Sequence, residues 1–127
     1  LDGEALTPWV GRMINIHPSL LPKYRGLHTH RRALEAGDHE HGASVHFVTA
    51  ELDGGPVIAQ ARLAIAAGDD ENQLAQRLLP LEHRLLPAVL GLLASKRLQW
   101  DGHAPRFDGQ PLLTPLMLSD EGLLPAE

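Results

Sequence analysis

With 127 residues, 43% of them hydrophobic and 21% charged, the chain has the profile of one globular domain. At that length roughly two-thirds of the surface exposed by the unfolded chain can be buried without staples. Lys+Arg 11 against Asp+Glu 16 gives a formal charge of -5 with no long run of like charge, and cysteine is absent. These features argue against nucleic acid as a partner, exclude a disulfide framework and a thiolate zinc site, and favour small-molecule partners in a reducing, cytoplasmic setting.

The opening LDGEALTPWVGRM reads as the middle of a protein, so the chain is expected to be a fragment: a single domain over 1–127 with a tail at 114–127. Thr7 followed by Pro8 predicts a helix start, with the helix running to about Gly11. A strand follows over Met13 to His17, placing Met13, Asn15 and His17 on one face and Ile14 and Ile16 on the other. Pro18 ends it, and a loop runs to Gly26. Thr29 to Ala36 reads as a helix stopped by Gly37, and the histidine-bearing stretch from Leu27 to Glu40 is expected to be exposed. Gly42 to Thr49 and Val57 to Ile65 read as strands.

Asp69 or Asp70 caps a long helix reaching Arg97, with leucines at helical spacing and expected kinks at Pro80 and Pro87. Beyond it, Asp101-Gly102 and Asp108-Gly109 punctuate short extended runs as hairpin turns do. No apolar stretch approaches the ~20 residues of a membrane span, and no signal-peptide pattern is present.

Asn15 and His17 are polar side chains on one face near a strand end. An amide donor beside an imidazole suits a developing oxyanion, and a strand end open to water explains the pair equally well. Asp53 precedes a double glycine where a substrate could approach the backbone closely, so it is a candidate proton carrier beside His17. A plain Asp-Gly turn is the commoner account of that pattern. His28 with His30 and His39 with His41 form two H-x-H pairs, which raise a non-enzymatic, histidine-rich metal-binding module as an alternative. The pairs flank a helix rather than share one of its faces, so no metal site is expected.

The run NIHPSLLPKY from Asn15 to Tyr24, continued by Gly26-Leu27-His28-Thr29-His30, resembles the signature of the glycinamide ribonucleotide formyltransferases, a folate-dependent family. The block Gly42 to Val48, followed by Glu51-Leu52-Asp53-Gly54-Gly55-Pro56-Val57-Ile58, is similar to that family's strand and aspartate loop in the same order. The resemblance runs from Arg12 to about Leu113. It implies a Rossmann-like α/β fold, a mostly parallel sheet with flanking helices, whose N-terminal part with its Gly-rich phosphate loop is missing from this chain.

The same resemblance implies a catalytic trio of Asn15, His17 and Asp53, a substrate contact from Glu82, and a folate pocket lined by Met13 and Leu52. The implied reaction moves the formyl group of the co-substrate 10-formyltetrahydrofolate onto the amine of glycinamide ribonucleotide, in purine synthesis, with no metal. Formyltetrahydrofolate deformylase and the other N-formyltransferases share the N-x-H and L-D-x-G elements, and the Gly26 to His30 stretch argues against them. Oligomeric state is not legible.

Overall fold

The computed structural model describes residues 13–49 and 55–124; the expected helix at Thr7 to Gly11 lies outside them. The elements are β1 (Ile14–His17), α1 (Thr29–Glu35), β2 (Glu40–Phe47), β3 (Val57–Ala64), α2 (Glu71–Ala94), β4 (Leu98–Trp100), β5 (Pro105–Phe107), β6 (Gln110–Pro111), β7 (Leu116–Ser119) and β8 (Gly122–Leu124). Each of the predicted strands and helices within the described residues is present, with ends shifted by a few residues.

Helix α2 begins where the sequence supplies a reciprocal cap. Gln73 N donates to Asp70 Oδ1 at 2.8 Å, and Asp70 N donates to Gln73 Oε1 at 3.0 Å, so two of the helix's orphan donors are satisfied. Leu74, Leu78, Leu85 and Val89 are its buried stripe, while Leu79 and Leu90 face outward. Pro80 and Pro87 both sit on the exposed side, and the helix runs unbroken through them.

The main sheet has the order β1-β2-β3-β7-β8, and β4-β5-β6 forms a separate three-stranded sheet. Among the described residues the main sheet is mixed rather than mostly parallel. Only β3 and β7 pair in parallel, because β1–β2, β2–β3 and β7–β8 are consecutive strands that turn back on each other. Helix α2 packs on β2 and β3 over a core that includes Val45, Phe47, Ile58, Leu78, Leu85 and Leu116. No helix among the described residues is long and apolar enough to cross a membrane.

The expected tail at 114–127 is corrected as far as Leu124. Leu116 is fully buried against β3, and β7 turns through Asp120 and Glu121 into β8, which closes the edge of the sheet. Arg84 of α2 donates to the Ser119 carbonyl at 2.8 Å and ties the hairpin to the helix. Strands of four and three residues are too short for their alternation to be distinguished from a tail. Leu116→Ala is expected to lower the unfolding free energy by about 2–5 kcal/mol in urea denaturation. Leu113→Ala, at a position 89% exposed, should change it by less than about 0.5 kcal/mol. Two equally small effects would return this segment to the status of a tail.

Candidate active site

Strand β1 carries the first two site residues, paired antiparallel to β2 so that Asn15 lies opposite His46 and His17 opposite Ser44. Asn15 is exposed and His17 is buried. By strand alternation the two share a face, and Ile14 and Ile16 take the other. Pro18 stops the strand, and the chain turns at once, with Ser19 N donating to the His17 carbonyl at 2.8 Å.

The loop from Pro18 to His28 then folds back on its own origin. Ser19 Oγ donates to the Lys23 carbonyl at 2.6 Å, and Lys23 N donates to the Leu20 carbonyl at 3.0 Å. Tyr24 adopts a left-handed conformation at φ 55. Its carbonyl accepts from His17 Nε2 at 2.8 Å. A carbonyl only accepts, so Nε2 carries the ring's proton and Nδ1 is the acceptor of the neutral imidazole. Protonation at Nδ1 would turn the ring into a cationic donor, the form that stabilises an oxyanion. The Tyr24 side chain is held as well: its hydroxyl donates to Asp38 Oδ2 at 2.5 Å, and Arg32 lies over its ring at 5.2 Å. The bond to the Asp38 carboxylate pushes the phenol's pKa up.

Asp53 and Leu52 lie outside the described residues. The chain resumes at Gly55, buried directly against Phe47, where any Cβ would strike the Phe47 carbonyl oxygen. Phe47 N donates to the Pro56 carbonyl at 3.0 Å, and Phe47 is the register partner of Ile14. Gly55 and Pro56 thus meet β2 at Phe47, where β3 begins. Met13, half-buried ahead of β1, accepts from Val48 N at 2.9 Å through its carbonyl.

Glu82 projects from α2 into a hollow of about 380 Å³ shared with Ile16, Leu79, His83, Leu86 and Pro87. Burial among these apolar neighbours pushes its carboxyl pKa up, and His83 opposes the shift. It meets β1 at Ile16, on the face opposite the one Asn15 and His17 share. The structure thus brings Asn15 and His17 together and sets Glu82 on the other side of the strand.

The H-x-H pairs split. His28 stands at the N-terminal boundary of α1 in an exposed, left-handed conformation with no side-chain capping bond, and His39 is exposed. His30 Nδ1 and His41 Nε2 are 2.9 Å apart and share one proton-mediated bond. His41 is buried, and desolvation, with a smaller push from His30, takes its pKa down to about 4. Among the described residues no group of three or more His, Cys, Asp or Glu is placed to hold a metal ion. The stretch expected to be exposed also folds in part, since Thr29 and Ala33 of α1 are buried.

Sequence reasoning missed Ser19, Ser44 and Gln60, three buried polar residues behind the His17 loop. A serine between Ala43 and Val45 and a glutamine between Ala59 and Ala61, inside apolar strands, were the available signal.

The chain matches the formyl transferase family over residues 1–90. It is 54% identical over 112 residues to the phosphoribosylglycinamide formyltransferase of Escherichia coli (strain K12), covering 88% of this chain and 53% of that protein. The Haemophilus influenzae phosphoribosylglycinamide formyltransferase is 42% identical over 114 residues, covering 86% of this chain and 54% of that protein. The solved phosphoribosylglycinamide formyltransferase of Coxiella burnetii superposes with a TM-score of 0.83 at 51% identity, over 87% of this chain and 52% of that one. A formyltetrahydrofolate deformylase from Pseudomonas syringae superposes with a TM-score of 0.75 at 26% identity, over 83% of this chain and 35% of that one. The chain spans about half the length of the curated relatives it matches.

The buried His41 has a pH consequence. Its folded pKa, about 4, lies below the unfolded value of 6.5. Between those values the unfolded state binds the extra proton, so stability is full above pH 6.5 and falls as pH drops toward 4. Urea unfolding is expected to show a loss of up to roughly 3 kcal/mol over that window. His41→Gln should flatten the slope there; an unchanged slope in that variant would assign the effect to other groups.

Proposed function

Because the chain belongs to the formyl transferase family, we propose that it is the transfer-chemistry part of a phosphoribosylglycinamide formyltransferase working in the cytoplasm on small-molecule substrates. The amine of glycinamide ribonucleotide attacks the formyl carbon of 10-formyltetrahydrofolate, forming the new C–N bond and a tetrahedral oxyanion. The Asn15 amide and the His17 imidazolium donate to that oxyanion, which requires fixed donors rather than a covalent intermediate. Asp53 takes the proton released by the amine and returns it, through water, to the folate nitrogen as the old C–N bond breaks. Met13 and Leu52 line the folate side, and Glu82 contacts the ribonucleotide. The reaction so written calls on no metal.

The observation that carries this reading is the pairing of an exposed Asn15 with a His17 whose ring is fixed by the Tyr24 carbonyl, in a chain 54% identical to a named formyltransferase. Water in place of the amine would make the same site a deformylase. Identity to the P. syringae deformylase is only 26%, which favours the amine.

The test joins this chain to the part of the E. coli relative that it does not match and follows formyl transfer. Transfer to glycinamide ribonucleotide is expected, with Asn15→Ala lowering kcat by about 100- to 1000-fold. Asp53→Asn should lower kcat by about 100-fold or more while folate affinity stays within severalfold, because proton transfer is lost and recognition is not. Release of formate without any formylated amine would assign the deformylase reaction instead.

A further inference from the structure

Gln60 sits on β3 between Ala59 and Ala61, 5% exposed, a polar side chain inside an otherwise apolar stretch of strand. Its side-chain nitrogen uses both hydrogens. One goes to the Leu21 carbonyl at 3.0 Å and the other to Ser44 Oγ at 3.1 Å. Ser44, fully buried on β2, also accepts from Leu21 N at 3.0 Å and donates its own hydrogen to the Ser19 carbonyl at 2.7 Å.

The polarity of this hub is fixed by chemistry. The Leu21 N–H and the Gln60 amide can only donate to the serine oxygen, so the one serine hydrogen must go to Ser19. The Gln60 amide cannot be flipped either, since its oxygen would then face the Leu21 carbonyl. Two strand side chains therefore hold the loop backbone at three points: the Ser19 carbonyl, the Leu21 N–H and the Leu21 carbonyl.

The β2–β3 pairing is made through its own backbone register, with a bulge between Val45 and His46, whereas these side-chain bonds all go to the loop backbone or to each other. What they fix is the loop that leaves β1. From its anchored start, Ser19 Oγ reaches the Lys23 carbonyl, and the next carbonyl, that of Tyr24, holds His17 Nε2. The far end of the loop is clamped separately, by the Tyr24 hydroxyl on Asp38. We propose that Gln60 is a positioning residue for His17, fixing through Ser44 and the Ser19 to Tyr24 backbone the carbonyl that selects the ring's tautomer and direction. The inference rests on the reading of His17 as an oxyanion donor. It adds a residue two strands away whose amide sets which ring nitrogen faces the reacting group, as metal-site histidines are set by the partner of their second nitrogen.

The test reads the ring itself. In the ¹⁵N-labelled chain at neutral pH, His17 is expected to show a slowly exchanging Nε2–H. Gln60→Glu keeps the side chain's shape and replaces the two-donor amide with a carboxyl that carries one hydrogen at most, so it cannot donate to both the Leu21 carbonyl and Ser44 Oγ. Expected is loss of the Nε2–H signal and a mixed tautomer, while Asn15→Ala, which leaves the hub intact, retains the signal. A Gln60→Glu chain that melts at a lower temperature with the Nε2–H unchanged would overturn the proposal, because a purely structural role lowers stability alone.

Should that variant fail to fold, the wild-type chain decides. Under mild urea, the His17 Nε2–H and the Leu21 N–H should exchange through one common opening, with the same urea dependence. Separate openings would overturn the linkage. Because the signal is read without turnover, a chain that fails to transfer formyl rejects the functional reading and leaves the Gln60 outcome legible by itself.

Discussion

Strand β2 is the constraint on which the rest depends. His41 to Phe47 are buried without a break, so both faces of the strand must be covered: α2 packs on β2 and β3, and the Leu20 side chain of the loop after β1 comes in at Gly42. Gly42 makes this possible, since a Cβ there would collide with the Ala61 carbonyl and lie 2.6 Å from Leu20 Cδ2. The loop can lie flat on the sheet only because β2 has no side chain at that point. Everything the site needs from the loop, the turn after Pro18 and the carbonyl presented to His17, follows from that seat.

Burial on both faces also decides the chemistry of the polar groups β2 carries. A buried histidine is kept neutral by desolvation, as His41 is, and a buried serine must use its whole hydrogen-bonding capacity, as Ser44 does. The polar side chains of the sheet therefore act as rigid anchors. Asn15 differs, standing exposed on the outermost of the described strands beside a buried His17. With Nδ1 protonated, His17 would join the Asn15 amide as a second fixed donor, the arrangement on which the proposed oxyanion contact rests.

Much of this was legible in the residues. Strong periodicity and a capping aspartate at 69 or 70 marked α2, and Pro18 and Gly37 marked the ends of β1 and α1, because each of these signals acts within a few residues. The polar face of β1 was also readable, since a period of two in five residues leaves Asn15 and His17 no other arrangement. Three things were hidden. The direction of pairing between strands depends on which elements lie side by side, so a mixed sheet read as mostly parallel. The β7–β8 hairpin is too short to declare itself, and only its burial against β3 distinguishes it from a tail. The Gln60–Ser44 hub joins residues 16 apart to Leu21, 39 residues before Gln60, a relation no local pattern encodes.

The central claim is that formyl transfer takes place on the face that Asn15 and His17 share. The direct measurement is a crystal structure of the joined protein with a hydrolytically stable analogue of 10-formyltetrahydrofolate. The expected result places the oxygen that mimics the formyl carbonyl within hydrogen-bond reach, about 3 Å, of both the Asn15 amide nitrogen and His17 Nδ1. An analogue seated elsewhere, for instance in the cleft of about 600 Å³ between the Leu20 to Lys23 loop and Arg62, with both side chains out of reach, would contradict it.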